Sequence, residues 1–162
     1  MKHILCLLFF LSLTTVDLAA ATHNIKEYGA IGDGKHIDSP AINAAIEAAA
    51  QNGGGTVYIP TGKYACYSIR LKSHLTISLE AGAEIIAAFP TQTEGYDEAE
   101  ENPHNLYQDF GHSHWKNSLM WGIGLEDVTI SGPGLINGKG LTREESRLPG
   151  VGNKAISLKL CK

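Results

Sequence analysis

YGAIGDGKHIDSPAINAAIEAAAQNGGGTVYIPTGKY, residues 28–64, passes from a tight turn to a short capped helix, a glycine break, a strand and a second turn. Gly32-Asp33-Gly34 is a turn whose glycines tolerate positive φ. Ser39 has the side chain to cap a helix, and Pro40 suits the first helical position because its missing N–H needs no partner there. Ile42, Ala45, Ile46 and Ala49 recur at i, i+3, i+4 and i+7, which draws one apolar stripe along that helix. Gly53-Gly54-Gly55 stops it, with Gly53 placed for the left-handed position after the last turn. Thr56-Val57-Tyr58-Ile59 then reads as a strand, and Pro60 with Gly62 turns the chain.

This block resembles the N-terminal cap of the pectate-lyase-like superfamily of right-handed parallel β-helices, and within it the polygalacturonases and rhamnogalacturonases of glycoside hydrolase family 28. The resemblance is carried by Tyr28-Gly29-Ala30, Gly32-Asp33-Gly34, the Ala-Ile repeats of the helix, and Gly53-Gly54-Gly55-Thr56-Val57 leading into Pro60-x-Gly62-x-Tyr64. Leu79-Glu80-Ala81-Gly82-Ala83 and Ser131-Gly132-Pro133-Gly134 with Asn137-Gly138 fit the same pattern. It spans residues 24–160 and implies an all-β, single-stranded solenoid with a capping α-helix at its N-terminal end.

Composition sets the outer bounds. A chain of 162 residues with 43% hydrophobic and 19% charged residues is an ordinary globular length and balance. Its 18 glycines fall between short β-rich runs, as a turn-dense β fold requires. The net charge of −4 leaves no basic footprint for nucleic acid. Binding an acidic polysaccharide would need Lys and Arg clustered locally.

Residues 1–21 read as a secretory signal peptide: Lys2 and His3, an apolar run Ile4–Leu13, then Ala19-Ala20-Ala21. About ten apolar residues are too few to span a bilayer. Export to the periplasm, cell surface or exterior is expected, with no membrane span after cleavage. Cys66 and Cys161 remain in the mature chain, where a disulfide is permitted but small apolar filling of inward strand faces is the expected role.

Residues 22–162 read as solenoid coils. Asn24–Tyr28 suggests a first short strand. Val57/Ile59, Ile69/Leu71, Leu75/Ile77/Leu79 and Ile85/Ile86 follow as half-buried strand runs with no long helix between them. An antiparallel sandwich would explain such strands equally well, so the solenoid follows from the resemblance. The helix then has a physical task, since a β-helix end exposes strand edges and an open apolar core that the Ile42/Ile46 stripe would cover. A polar excursion occupies residues 90–122, and Asp97-Glu98-Ala99-Glu100-Glu101 within it reads as a solvated loop before a Ca²⁺ ligand set. Patterning resumes at Leu125, with Val128/Ile130, Leu135/Ile136 and Ile156/Leu158/Leu160 as later strands. The chain stops without a closing turn or cap, which suggests a truncated solenoid.

In the resembled family, hydrolysis uses aspartates in an Asn-x-Asp motif and an Asp-Asp pair, followed by Gly-His-Gly and Arg-x-Lys. One acid protonates the leaving oxygen while a base activates water. The first three motifs are absent, and Arg70-Leu71-Lys72 matches the fourth only by letters, so no catalytic residue is expected within this chain. The most site-like cluster is His112-Ser113-His114-Trp115, with His104 and Asp109 nearby. Closely spaced imidazoles and carboxylates could hold a metal. Alternatively, Trp115, Trp121, Tyr107 or Tyr96 could stack on a pyranose ring while histidines bond its hydroxyls, or the loop simply packs on the coil wall. His112, His114, Trp115 and Trp121 are the candidate substrate-binding residues, with no metal and no cofactor expected.

The resemblance implies the N-terminal part of an exported, monomeric enzyme that hydrolyses pectin-type polysaccharide with inversion, its acid and base lying outside this chain. A polysaccharide lyase of the same superfamily and a non-enzymatic glycan-binding β-helix are the alternatives.

Overall fold

The computed structural model describes residues 21–101, 114–142 and 150–162. All but Ala21 of the leader segment, together with His104, Tyr107, Asp109 and His112, therefore lie outside the described residues. Four coils follow one another. The first holds β1 (Thr22–Asn24), a 3₁₀ turn (Ile25–Tyr28), β2 (Asp33–Ile37) and α1 (Ser39–Gln51). The second holds β3 (Gly55–Ile59), β4 (Gly62–Cys66) and β5 (Ile69–Arg70). The third holds β6 (Leu75–Leu79), β7 (Ala83–Ala87) and β8 (Ser118–Ile123), and the fourth β9 (Val128–Ser131), β10 (Leu135–Asn137) and β11 (Lys154–Lys159).

Each strand pairs in parallel with its counterpart one coil later, which excludes the antiparallel sandwich. The sheets run β1-β3-β6-β9, β2-β4-β7-β10 and β5-β8-β11. In register, Val57 stands beside Ile77 and Ile77 beside Ile130. Tyr64, Ile85 and Ile136 form a second stack, and Ile69, Met120 and Ile156 a third. Period-2 alternation sends these stacks inward, where Val57, Ile77, Ile69 and Met120 are fully buried. Each such side chain contributes about 1.5–3 kcal/mol of burial. In the fourth coil Leu135, Ile156, Leu158 and Leu160 keep large exposed surfaces.

The helix lies across the first coil against β1, β3 and β5, and its predicted stripe of Ile42, Ala45, Ile46 and Ala49 is buried. Its C-terminus closes as expected: Gly53 adopts φ 84°, Gly53 N donates to Ala50 O, and Gly54 N donates to Ala49 O. The N-terminus differs from expectation. Asp38 is the cap residue, and its carboxylate accepts from Ile31 N and Gly32 N rather than from the helix. Ser39 lies inside the helix, and its Oγ accepts from Tyr67 N across the coil. Both side chains are spent on binding the turn and the second coil to the helix start.

Other local differences have equally local causes. Asn24 ends β1 early because its side chain accepts from Lys26 N and starts the 3₁₀ turn. Gly32-Asp33-Gly34 keeps its turn chemistry, with Asp33 Oδ1 accepting from Lys35 N and His36 N, yet Asp33–Ile37 also joins the second sheet through a register irregularity. Those backbone donors hold the Asp33 carboxyl well below the usual range. Ile86 faces outward, since Ala83, Ile85 and Ala87 take the inward positions of β7. The excursion at 90–122 is shorter than expected, because Ser118–Ile123 is already strand. Four of the first five residues of β8 are buried, Ser118, Met120 and Gly122 on the inward side and Leu119 on the outward side, and the alternation that marks a half-buried strand is lost.

Cys66 and Cys161 are free thiols, Cys66 buried and Cys161 half-buried. Cys66 is the inward filler expected, whereas Cys161 lies beyond β11 with Sγ against Lys159 O and Gly122 O. Burial pushes the Cys66 thiol far above the ordinary range. A thiol reagent at about pH 8 will therefore label Cys161 and leave Cys66 silent in the native protein. Peptide mapping checks this, and equal labelling would show that the second coil opens readily.

Candidate functional site

The chain leaves the solenoid at one corner, between the second and third sheets, in both the third and the fourth coil. Ala88 N donates to Cys66 O and Gly140 N to Ala87 O, so both excursions start on the backbone of the coil before. They are then pinned to each other, with Tyr96 N donating to Gly150 O, Asn153 N to Asn117 O, and Asn117 Nδ2 to Val151 O. Tyr96 packs edge-on against Tyr67 and donates its hydroxyl to Ala88 O. Burial pushes its phenol well above the ordinary range, so it stays a neutral donor.

This corner flanks the outer face of the third sheet. Arg70 on β5 and Trp121 on β8 are register partners and project outward together, because Ile69 and Met120 take the inward positions. Asp97 joins them. Its Oδ2 accepts from Arg70 Nε and Trp121 Nε1, both at 2.8 Å, and its Oδ1 accepts from Arg70 Nη2 at 2.5 Å. The bidentate carboxylate raises the Arg70 guanidinium still further above its usual range. Asp97 is itself held by Ser68 Oγ, which accepts its backbone N–H at 3.0 Å and donates to Ser118 O. Trp121 is thus fixed at its nitrogen while one ring face meets Lys116 Nζ, 5.9 Å from the centroid.

Trp115 is arranged in the same way. Glu100 accepts from Trp115 N and Lys116 N at 3.1 Å, anchoring the segment that carries both side chains. Lys159 Nζ stands 4.1 Å and Lys154 Nζ 5.8 Å from the Trp115 ring centroid. Lys154 Nζ also donates to His114 O. Two half-buried indoles and three ammonium groups therefore gather around β8 and β11, a local basic cluster that the overall charge does not reveal. Lys159 stands on the outward side that Trp121 shares, and Lys154 reaches Trp115 from the start of β11.

Of the four candidates named from sequence, Trp115 and Trp121 lie in this cluster and His112 is outside the described residues. His114 is 3% exposed, so its ring is not offered to a ligand here. Among the described residues no three His, Cys, Asp or Glu side chains gather as a metal would require. The acidic run is a correction: Asp97 and Glu100 are structural anchors, not a solvated patch. Arg70, Asp97, Lys116, Lys154 and Lys159 were missed. Their relation depends on strand register between coils, and only the Lys116–Trp115 adjacency was visible in sequence.

Residues 22–79 match the family described as "Rhamnogalacturonase A/epimerase, pectate lyase-like", and the parallel coils are those of its solved relatives. The chain belongs to the pectate-lyase-like superfamily. A family 28 exopolygalacturonase of Yersinia enterocolitica superposes on this pectate-lyase-like chain with a TM-score of 0.54 and 26% identity, over 73% of this chain and 21% of that one. The plasmin and fibronectin-binding protein A of Streptococcus pneumoniae is 36% identical over 139 residues, 85% of this chain and 17% of the relative. Mannuronan C5-epimerase AlgE3 of Azotobacter vinelandii is 58% identical over 49 residues, 30% of this chain and 3% of the relative. The chain thus spans less than a quarter of each of these proteins. Among the described residues no helix is long and apolar enough to cross a membrane.

Proposed function

We propose that this chain forms the capped end and first coils of an exported, monomeric β-helix that binds and hydrolyses an acidic, pectin-type polysaccharide. In this reading the outer face of the third sheet holds the glycan. Trp115 and Trp121 supply flat apolar surfaces for pyranose rings, and Lys116, Lys154 and Lys159 meet uronate carboxylates. The observation that carries it is the joint placement of these two indoles and three ammonium groups. Hydrolysis would be polygalacturonase-like and inverting, with the acid and base outside these 162 residues.

Titration with oligogalacturonates and with neutral oligosaccharides of equal length tests the reading. Trp121→Ala and Trp115→Ala should each weaken oligogalacturonate binding about tenfold, or about 1.4 kcal/mol. Affinity should also fall as salt rises, because the ammonium groups are partly exposed. Equal affinity for neutral and acidic chains, or tryptophan variants that bind normally, would refute it.

The likeness to a plasmin and fibronectin-binding protein favours a second reading, a surface-binding β-helix without hydrolysis. New reducing ends released from polygalacturonate by the whole protein separate the two.

A further inference from the structure

On the other side of the corner, the outer face of the second sheet carries a separate cleft of about 360 Å³. Its floor follows from register. Ile37 stands beside Ala65, and Ala65 beside Ile86, so three successive coils each place one apolar side chain in a row along the coil axis. Tyr64, Cys66, Ile85 and Ala87 take the inward positions, which leaves this row facing out. Ala65 is buried in the middle of this row, while Ile37 and Ile86 at its ends stay half-buried and line the cleft.

Phe89 forms one wall and is 65% exposed. Its backbone is nevertheless fixed. Phe89 O accepts from Tyr67 Oη at 3.3 Å, Ala88 O accepts from Tyr96 Oη at 2.8 Å, and Ala88 N donates to Cys66 O. The aromatic ring is therefore presented to solvent from a held segment, so little ordering entropy remains to be lost on binding.

Lys35 on β2 and Lys139 just after β10 line the same cleft. Three strand steps separate their coils, roughly 14 Å along the axis. Neither ammonium has a hydrogen-bond or ion-pair partner among the described residues. Glu94 is the one carboxylate on the rim, and it stands on the loop that also borders the neighbouring cleft beside Arg70 and Asp97. The lining is thus an apolar strip with unpaired cationic ends, complementary to an elongated ligand with apolar faces and spaced negative charges.

We infer that this cleft is a second glycan subsite, taking a short stretch of acidic polysaccharide along the coil axis. Sugar rings lie on Phe89 and the Ile37–Ile86 row, and carboxylates near the two ends meet Lys35 and Lys139. The inference rests on the acidic-glycan reading of the third sheet, and it adds a consequence. One long polysaccharide held on both sides of the corner is bound with avidity that neither face has alone.

Calorimetric titration with tetragalacturonate, combined with NMR shift mapping, tests it. The wild-type chain should bind two molecules. Phe89→Ala should remove the second-sheet site and leave the one at Trp121, whereas Trp121→Ala should do the reverse. The double variant Lys35→Ala/Lys139→Ala should weaken the second-sheet site about tenfold and leave the other unchanged. Phe89 is largely exposed, so its truncation leaves the melting curve in place. A single bound molecule that is insensitive to Phe89→Ala, or two that both survive it, overturns the inference while the third-sheet reading stands. No binding at all by the wild-type chain overturns both.

Discussion

Ile46→Asp destabilises the chain by at least about 4 kcal/mol and sends it to the insoluble fraction. Ile46 is 1% exposed and sits between Ile42 and Ala49 on the face that α1 lays over the first coil. Removing its hydrocarbon alone costs about 2–5 kcal/mol at such a site. The carboxylate adds the cost of an unpaired buried charge, or of the proton that neutralises it. Against a total stability of about 5–15 kcal/mol, either sum leaves little folded protein. The loss also uncovers the edges of β1 and β5, which present unpaired strand backbone to other chains. Glu47→Ala, on the exposed side of the same helix, is the matching control. It removes only a surface ion pair with Lys72, worth about 0–1 kcal/mol. Solubility and thermal melting decide the matter, and a soluble Ile46→Asp variant with a wild-type melt would mean that the helix caps no core.

Gly54→Ala has the second largest effect, about 2–6 kcal/mol. Gly54 has φ 122°, and a Cβ there would fall on the carbonyl oxygen of His74 in the following coil. That oxygen already accepts from Gly55 N. Two costs combine, about 1–3 kcal/mol for the backbone conformation and about 1–3 kcal/mol for the overlap. The neighbour Gly53 is also left-handed, at φ 84°, but has open space around its missing Cβ. Gly53→Ala should cost only about 1–2 kcal/mol. Melting temperatures should therefore fall by roughly 10 °C for Gly54→Ala and by a few degrees for Gly53→Ala. Equal losses at the two positions would show that conformation alone, and not coil stacking, requires the glycine.

These two residues mark the boundary between what the linear chain carries and what it does not. The Ile42/Ala45/Ile46/Ala49 spacing, the Gly53 stop and the alternation of Leu75/Ile77/Leu79 depend on neighbours within a few residues, so the helix, its buried face and the inward strands were legible directly. The motifs from Tyr28 to Tyr64 added the way the coils stack, which alternation alone leaves open between a solenoid and a sandwich. Ser39 was misread because its hydroxyl bonds Tyr67, a partner set by the coil that follows. Ser118–Ile123 was missed because Leu119, Trp121 and Ile123 put apolar side chains on its outer side too, so the sequence shows no alternation.

The candidate site is almost wholly a product of tertiary structure. Trp115 and Trp121 stand out as residue types, yet Arg70 meets Asp97 and Trp121 only because β5 and β8 pair in one register. Lys159 reaches Trp115 from the fourth coil, and Lys35 and Lys139 share a cleft across three strand steps. The sequence by itself determined the capping helix, the inward faces and the turns, because their physics is local. Which outward side chains meet was decided by the rise and register of the coils, because parallel pairing brings together residues that lie a full turn of solenoid apart.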